Sequence, residues 1–284
     1  MEMKKMITLC AACLALAGAQ AQQPDPNFYI YLCMGQSNME GNAKIEEQDR
    51  QGVDERFQVM AAADYPQMGR TMGQWYTAVP PLCREDAGLT PADYFGRTMV
   101  RNLPKKCRVG IINVAIGGCH IETLMKDSMT TYAKRVPDWM VGKLAAYNND
   151  PYARMLAMAR LAQQQGVIKG ILLHQGESNS GDARWPEKVR QLYNDLVADL
   201  GLDPAQVPLL AGETVNADCG GVCAGMNDII NRLPQTLPNS YVIPSAGCTC
   251  AADHLHFDAA GYRELGKRYA ARMLQCMGRK MKKK

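Results

Sequence analysis

Along this chain, unbroken apolar runs alternate with stretches in which apolar residues recur every three or four positions. Phe28–Gly35, Arg108–Ala115 and Val167–Leu173 are runs of the first kind, and Val207–Leu210 and Tyr241–Pro244 are shorter versions. A strand with one solvated face would alternate, so continuous runs predict parallel strands buried on both faces. Between them, Tyr152, Met155, Leu156, Ala159 and Leu161 share a helix opened by Asp150-Pro151, an N-cap and first-turn proline. Val189, Leu192, Tyr193, Leu196, Val197 and Leu200 form the apolar stripe of another. Met226–Leu233 predicts a short helix, and Tyr262, Leu265, Tyr269, Met273 and Cys276 a C-terminal one. Such strand–helix alternation, with right-handed crossovers, predicts an α/β fold: a three-layer α/β/α sandwich around a mostly parallel sheet. Asn42–Thr98 breaks the rhythm. It reads as a long excursion with little regular structure early on, then a helix around Ala92–Arg101. Long irregular segments of this sort are often functional.

Composition narrows the classes without choosing one. With 47% hydrophobic and 21% charged residues over 284 positions, disorder and a polytopic membrane protein are excluded. A net charge of +4 is too small to predict a nucleic-acid partner. The N-terminus changes the picture more. Lys4 and Lys5 precede a short apolar run, Met6 to Ala17, and Ala19-Gln20-Ala21 is an A-x-A cleavage pattern. This predicts an export signal over residues 1–21 and a secreted or periplasmic protein with no membrane span after cleavage. Cys10 falls too early for lipoprotein attachment. No repeat or linker interrupts 22–278, read as one domain, and 279–284 is a basic tail. Cleavage removes Cys10 and Cys13 and leaves 11 − 2 = 9 cysteines, an odd number. In an oxidising compartment, two of the loop cysteines Cys219, Cys223, Cys248 and Cys250 are expected to pair, in a connectivity that spacing does not fix.

Catalytic residues of open parallel sheets gather where strands end. Gly35-Gln36-Ser37-Asn38-Met39-Glu40-Gly41 follows the first strand, Ile116-Gly117-Gly118-Cys119-His120 the second and His174-Gln175-Gly176-Glu177-Ser178-Asn179 the third. Asp253-His254-Leu255-His256 precedes the last helix. No GxGxxG or GxxxxGK[ST] motif follows the first strand, so a nucleotide is disfavoured. A serine at a strand end is more often a turn or cap residue. Ser37 gains weight from its company, because a hydroxyl nucleophile needs a base and the base needs an orienting carboxylate. Asp253 and His256, three apart in one loop, meet that requirement. The N–H groups of Ser37 and Gly118 and the side-chain amide of Gln175 could converge on an oxyanion.

Taken together, GQSNMEG, NVAIGGCHIE, HQGESN and DHLHF resemble the SGNH-type hydrolases, in particular the branch of carbohydrate acetylesterases that holds the carbohydrate esterase family 6 acetylxylan esterases and the sialate O-acetylesterases. The resemblance spans nearly the whole chain after residue 21. It implies a flavodoxin-like sheet and a serine esterase acting on an acetylated carbohydrate, with no metal and no cofactor. By the same resemblance Ser37 is the nucleophile, His256 the base and Asp253 its partner, with Gly118 and Gln175 as further oxyanion donors. The broader family carries asparagine in the third block, where this chain offers Gln175, with Asn179 farther on.

The neighbouring polar residues Gln36, Asn38, Glu40, His120 and Glu177 are candidates to line the substrate pocket. Glu177 reads as a buried, hydrogen-bonding strut before a general acid, His174 as a buried, hydrogen-bonded histidine before a second base, and His254 as a loop or pocket-lining residue beside the base. Cys248, Cys250, His254 and His256 have ligand types that suit zinc, but their spacing matches none of its usual patterns. The α/β-hydrolase elbow G-x-S-x-G is not met, since position 39 is Met. Two other functions fit the scaffold: a general carboxylesterase, and a carbohydrate-binding protein without activity. Trp75, Trp139 and Trp185 are candidates to stack on a sugar ring, each with plain packing as the alternative.

Overall fold

The run Phe28–Gly35 forms β1, the middle strand of a seven-stranded sheet, and a computed structural model describes residues 23–128 and 136–282 around it. β1 pairs in parallel with β4 (Arg108–Ala115) on one side and β5 (Val167–His174) on the other. Outward on the β5 side follow β6 (Leu209–Gly212) and β7 (Ser240–Ile243), also parallel. Outward on the β4 side lie β2 (Phe57–Met60), parallel, and β3 (Trp75–Thr77), antiparallel at the edge. The order is β3-β2-β4-β1-β5-β6-β7.

β2 and β3 correct the expectation that the early part of Asn42–Thr98 has little regular structure. They are four and three residues long, too short to carry a periodic signal. The expected signal over residues 1–21 lies outside the described residues, as do the last two residues of the basic tail. Among the described residues, no helix is long and apolar enough to cross a membrane.

Among the described residues are nine α-helices: α1 (Ser37–Glu40), α2 (Glu47–Arg50), α3 (Pro91–Asn102), α4 (Asp138–Ala145), α5 (Pro151–Gln163), α6 (Trp185–Asp199), α7 (Asn227–Ile230), α8 (Leu233–Thr236) and α9 (Ala259–Cys276). Three of the long ones start as local chemistry dictates. Thr90, Asp150 and Asp258 each accept a first-turn N–H, and Pro91 and Pro151 follow the first two caps. Side chains of β1 alternate between two cores. Ile30, Leu32 and Met34 pack with Met155 and Ala159 of α5 and Leu192 and Leu196 of α6. Tyr31 and Cys33 face Phe95 and Met99 of α3 and Leu265 and Tyr269 of α9. Both faces of the sheet are therefore covered, and the central strand ends, Gly35, Ala115 and His174, share one edge.

Candidate active site

Gly35 ends β1, and the chain turns at once into α1. Met39 N and Glu40 N both donate to Gln36 O at 2.8 Å, and Gly41 N donates to Ser37 O at 2.9 Å. This single turn holds Ser37 at the end of the central strand, 8% exposed. Asp253–His256 reaches it from the far end of the sequence. Ser37 Oγ lies 2.8 Å from His256 Nε2, and His256 Nδ1 lies 2.6 Å from Asp253 Oδ2. Asp253 Oδ1 also accepts the N–H groups of Leu255 and His256, each at 3.0 Å. Partial burial pushes the Asp253 pKa up, but these hydrogen bonds, led by that from the His256 ring, outweigh it and hold it at about 2. An ionised carboxylate only accepts, so Nδ1 carries the ring proton and Nε2 accepts from the serine hydroxyl.

Gly118 follows β4 with φ +71°, a left-handed backbone that suits glycine. A Cβ on its neighbour Gly117 would lie 3.5 Å from Ser37 Cβ, which places this turn against the serine. Neither Ser37 N nor Gly118 N donates to a backbone acceptor among the described residues. Gln175 differs from its expected role. Its Nε2 has three acceptors inside the protein: Asn179 Oδ1 at 2.7 Å, Gln36 Oε1 at 3.2 Å and Cys119 O at 3.3 Å. Two amide hydrogens facing three acceptors leave none for an oxyanion in this geometry. Its Oε1 is taken by Trp185 Nε1. Gln175 is a brace between β5 and the Gly118 turn. Asn179 is braced in the same way, accepting from Ile121 N and donating to Glu122 and Asp182.

The expected pocket-lining residues divide sharply. Gln36 is 2% exposed, and its Oε1 accepts from Gln175, Gly176 N and Ser178 N. Asn38 is fully buried and uses its whole amide: Nδ2 donates to Glu177 Oε1 and Leu255 O, and Oδ1 accepts from Phe257 N and Tyr262 OH. Glu177 faces Asn38 and stands 3.7 Å from His174 Nδ1. These three side chains brace the strand ends; Asn38 is fully engaged in doing so, whereas Glu177 keeps a buried Oε2 without a hydrogen-bond partner. His174 is buried, with Nε2 on Glu213 O at 2.9 Å, and burial lowers its pKa. His254 turns away from Ser37, its Nδ1 on Cys219 O at 2.8 Å. Cys219 and Cys250 form a disulfide, which ties that loop to the one carrying Asp253 and His256. His120 is exposed at the start of the turn Ile121–Leu124.

Glu40 belongs to a cluster whose other members lie 44 and 103 positions away along the chain. It is 5% exposed and contacts Arg84 Nη2, while Lys143 Nζ reaches its Oε2 at 2.9 Å. Arg84 Nη1 donates in turn to Ala115 O at 2.9 Å. A Cβ on Gly117 would lie 2.6 Å from Glu40 Oε2, so this ion cluster forms the wall behind the Ser37–Gly118 turn.

Solved structures similar to this one include a protein from Arabidopsis thaliana, with TM-score 0.68 and 21% identity over 88% of this chain and 99% of that one. NanS follows with TM-score 0.63 and 16% identity, over 90% and 99% of the two chains. A carbohydrate acetylesterase from Xanthomonas citri gives TM-score 0.60 and 18% identity, over 87% of this chain but 56% of that one. At these identities the likeness establishes the α/β fold. The family description "Carbohydrate esterase, sialic acid-specific acetylesterase" matches residues 27–275. That match runs from the start of the central strand almost to the end of α9, through every block that meets at Ser37, and the chain belongs to this family of carbohydrate O-acetylesterases.

Proposed function

We propose that the protein removes O-acetyl groups from carbohydrates through an acyl-enzyme on Ser37. The observation that carries this reading is the relay Ser37 Oγ–His256 Nε2–Asp253, at 2.8 and 2.6 Å. His256 takes the hydroxyl proton as Oγ attacks the acetyl carbonyl carbon. The N–H groups of Ser37 and Gly118 stabilise the oxyanion. When the tetrahedral intermediate collapses, the bond to the sugar oxygen breaks and His256 returns the proton to it. Water then attacks the acetyl-serine and gives a proton to His256; as this second intermediate collapses, the bond to Ser37 Oγ breaks, His256 returns the proton to Oγ, and acetate leaves. Asp253 stays ionised throughout and stabilises the imidazolium. Acetylated xylan and O-acetylated sialic acids are the substrate classes, and the family description favours the second. The 1–21 pattern and the disulfide support an exported enzyme.

The test is Ser37→Ala assayed on acetylated xylan, O-acetylated sialic acid and an aryl acetate. Hydrolysis of all three is expected to fall by roughly 10³-fold or more with the unfolding midpoint retained. A Ser37→Ala protein as active as the parent would remove Ser37 as nucleophile.

A further inference from the structure

We infer that Trp139 is the residue that recognises the sugar ring, stacking on the pyranose whose acetyl group lies at Ser37; this rests on the carbohydrate reading above. Trp139 is 58% exposed, an unusual condition for the largest apolar side chain. Exposure alone would mean little, since isolated surface apolar residues are common. Position decides the matter. A Cβ placed on Gly118 would collide with the six-membered ring of Trp139, so the indole occupies the space where a Gly118 side chain would stand. The same glycine offers its N–H to the oxyanion. The indole therefore stands against the turn that carries the proposed oxyanion donor, with more than half of the residue open to solvent.

The ring is held there by its helix. Met140 and Leu144 of α4 are each 2% exposed and pack into the core with Met155. Lys143, one turn after Trp139 and on the same face, bonds Glu40 in the wall behind Ser37. α4 is thus fixed from beneath by apolar packing and from the side by an ion pair, and Trp139 is the ring it presents. The charges beside it are already matched: Glu40 meets Arg84 and Lys143, and Arg84 also meets Asp86. What remains open for a ligand at this point is an aromatic face, which suits the C–H face of a pyranose. The other two tryptophans differ. Trp185 is fully buried, and Trp75 packs edge-on against Phe28 at 4.8 Å.

The experiment compares Trp139→Ala and Trp139→Tyr with the parent on an O-acetylated sugar and on ethyl acetate, which carries the acyl group but no ring. The readout is the ratio of kcat/KM for the sugar ester to kcat/KM for ethyl acetate. Trp139→Ala is expected to lower this ratio about tenfold, mainly through KM, the size expected for loss of one ring-on-ring contact. Trp139→Tyr should recover most of it. A ratio unchanged in Trp139→Ala, because both esters are unaffected or fall together, overturns the assignment while leaving the esterase reading intact. A parent enzyme that hydrolyses ethyl acetate but no sugar acetate overturns the carbohydrate reading, and the assignment with it.

Discussion

Asn38 Nδ2 donates to Glu177 Oε1 at 2.6 Å, joining the turn after β1 to the turn after β5 one residue away from the nucleophile. The same amide holds Leu255 O and Phe257 N on either side of His256. Asn38 thereby sets the distance between Ser37 and its base without touching either reacting atom. Asn38→Ala should leave three buried polar groups unmatched, at a cost of about 2–4 kcal/mol in stability. The larger effect is expected in kcat, lowered roughly 10- to 100-fold with KM little changed, because a loosened His256 loop misplaces the base. Denaturant unfolding together with kcat and KM separately would check this. An Asn38→Ala enzyme with parental kcat would reduce Asn38 to a packing residue.

Glu40 makes a harsher prediction. Its carboxylate and the Arg84 side chain are 7% and 6% exposed, so removing the Glu40 charge leaves the buried guanidinium with only the exposed Asp86 carboxylate, 3.2 Å from its Nε. Glu40→Gln should cost about 3–5 kcal/mol, the usual penalty for breaking a buried pair from one side. Lys143→Met should cost far less, since its side chain is 30% exposed and Arg84 remains on Glu40. Thermal unfolding of the two variants gives the comparison. Equal losses would mean that Lys143, not Arg84, is the main partner of Glu40.

The strand ends were legible because continuous apolar runs mark strands buried on both faces, and β1 and β4 end where their runs end. β2 and β3 were not, because FQVM is short and WYT is a three-residue, half-buried edge strand. The grouping of Ser37 with Asp253 and His256 could be read from motif and spacing, since each lies in a turn fixed by its own neighbours. Arg84 and Lys143 carry no such local mark. Their meeting at Glu40 is a product of tertiary packing across 44 and 103 positions. Gln36, Asn38 and Glu177 were recognised as belonging to the site, but polar residues beside a nucleophile look alike in sequence whether they face the ligand or brace the turn.

His174 predicts how stability responds to acid. Burial lowers its pKa below the ordinary 6.5, while Glu177 opposes the shift and His256 adds slightly to it. As pH falls, the unfolded chain takes up this proton before the folded one does. The stabilisation is therefore complete above about pH 6.5 and is lost as pH falls from there through the folded-state pKa. His174→Gln, which keeps a donor for Glu213 O, should lower stability at neutral pH but flatten its decline between pH 7 and pH 5. Unfolding midpoints across that range decide it. Identical slopes for parent and variant would show that His174 does not set the acid sensitivity.

The disulfide gives a redox prediction. Cys219–Cys250 spans 31 positions, and closing a loop of that length is worth about 3–4 kcal/mol by chain entropy. It also positions a functional loop, because Cys219 O holds the His254 ring and Val222 N donates to His254 O. Cys219→Ser/Cys250→Ser, or reduction of the parent, should lower both the unfolding midpoint and kcat. Full activity with a lowered midpoint would confine the bridge to stability.

In the proposed mechanism Gly118 is the position where a left-handed backbone and an oxyanion donor coincide. A side chain there would have to adopt φ +71°, at a cost of about 1–2 kcal/mol, and would also strike the Trp139 ring. Gly118→Ala should therefore shift the turn and its N–H together. Loss of one aligned oxyanion donor corresponds to roughly 10²–10³ in kcat. The two causes separate in a double-mutant cycle. Trp139→Ala removes the collision but not the left-handed backbone, so the stability penalty of Gly118→Ala should be smaller in that background, while the loss in kcat on ethyl acetate should persist. If the penalties simply add, the indole does not press on Gly118; if kcat recovers along with stability, the collision alone had displaced the oxyanion donor.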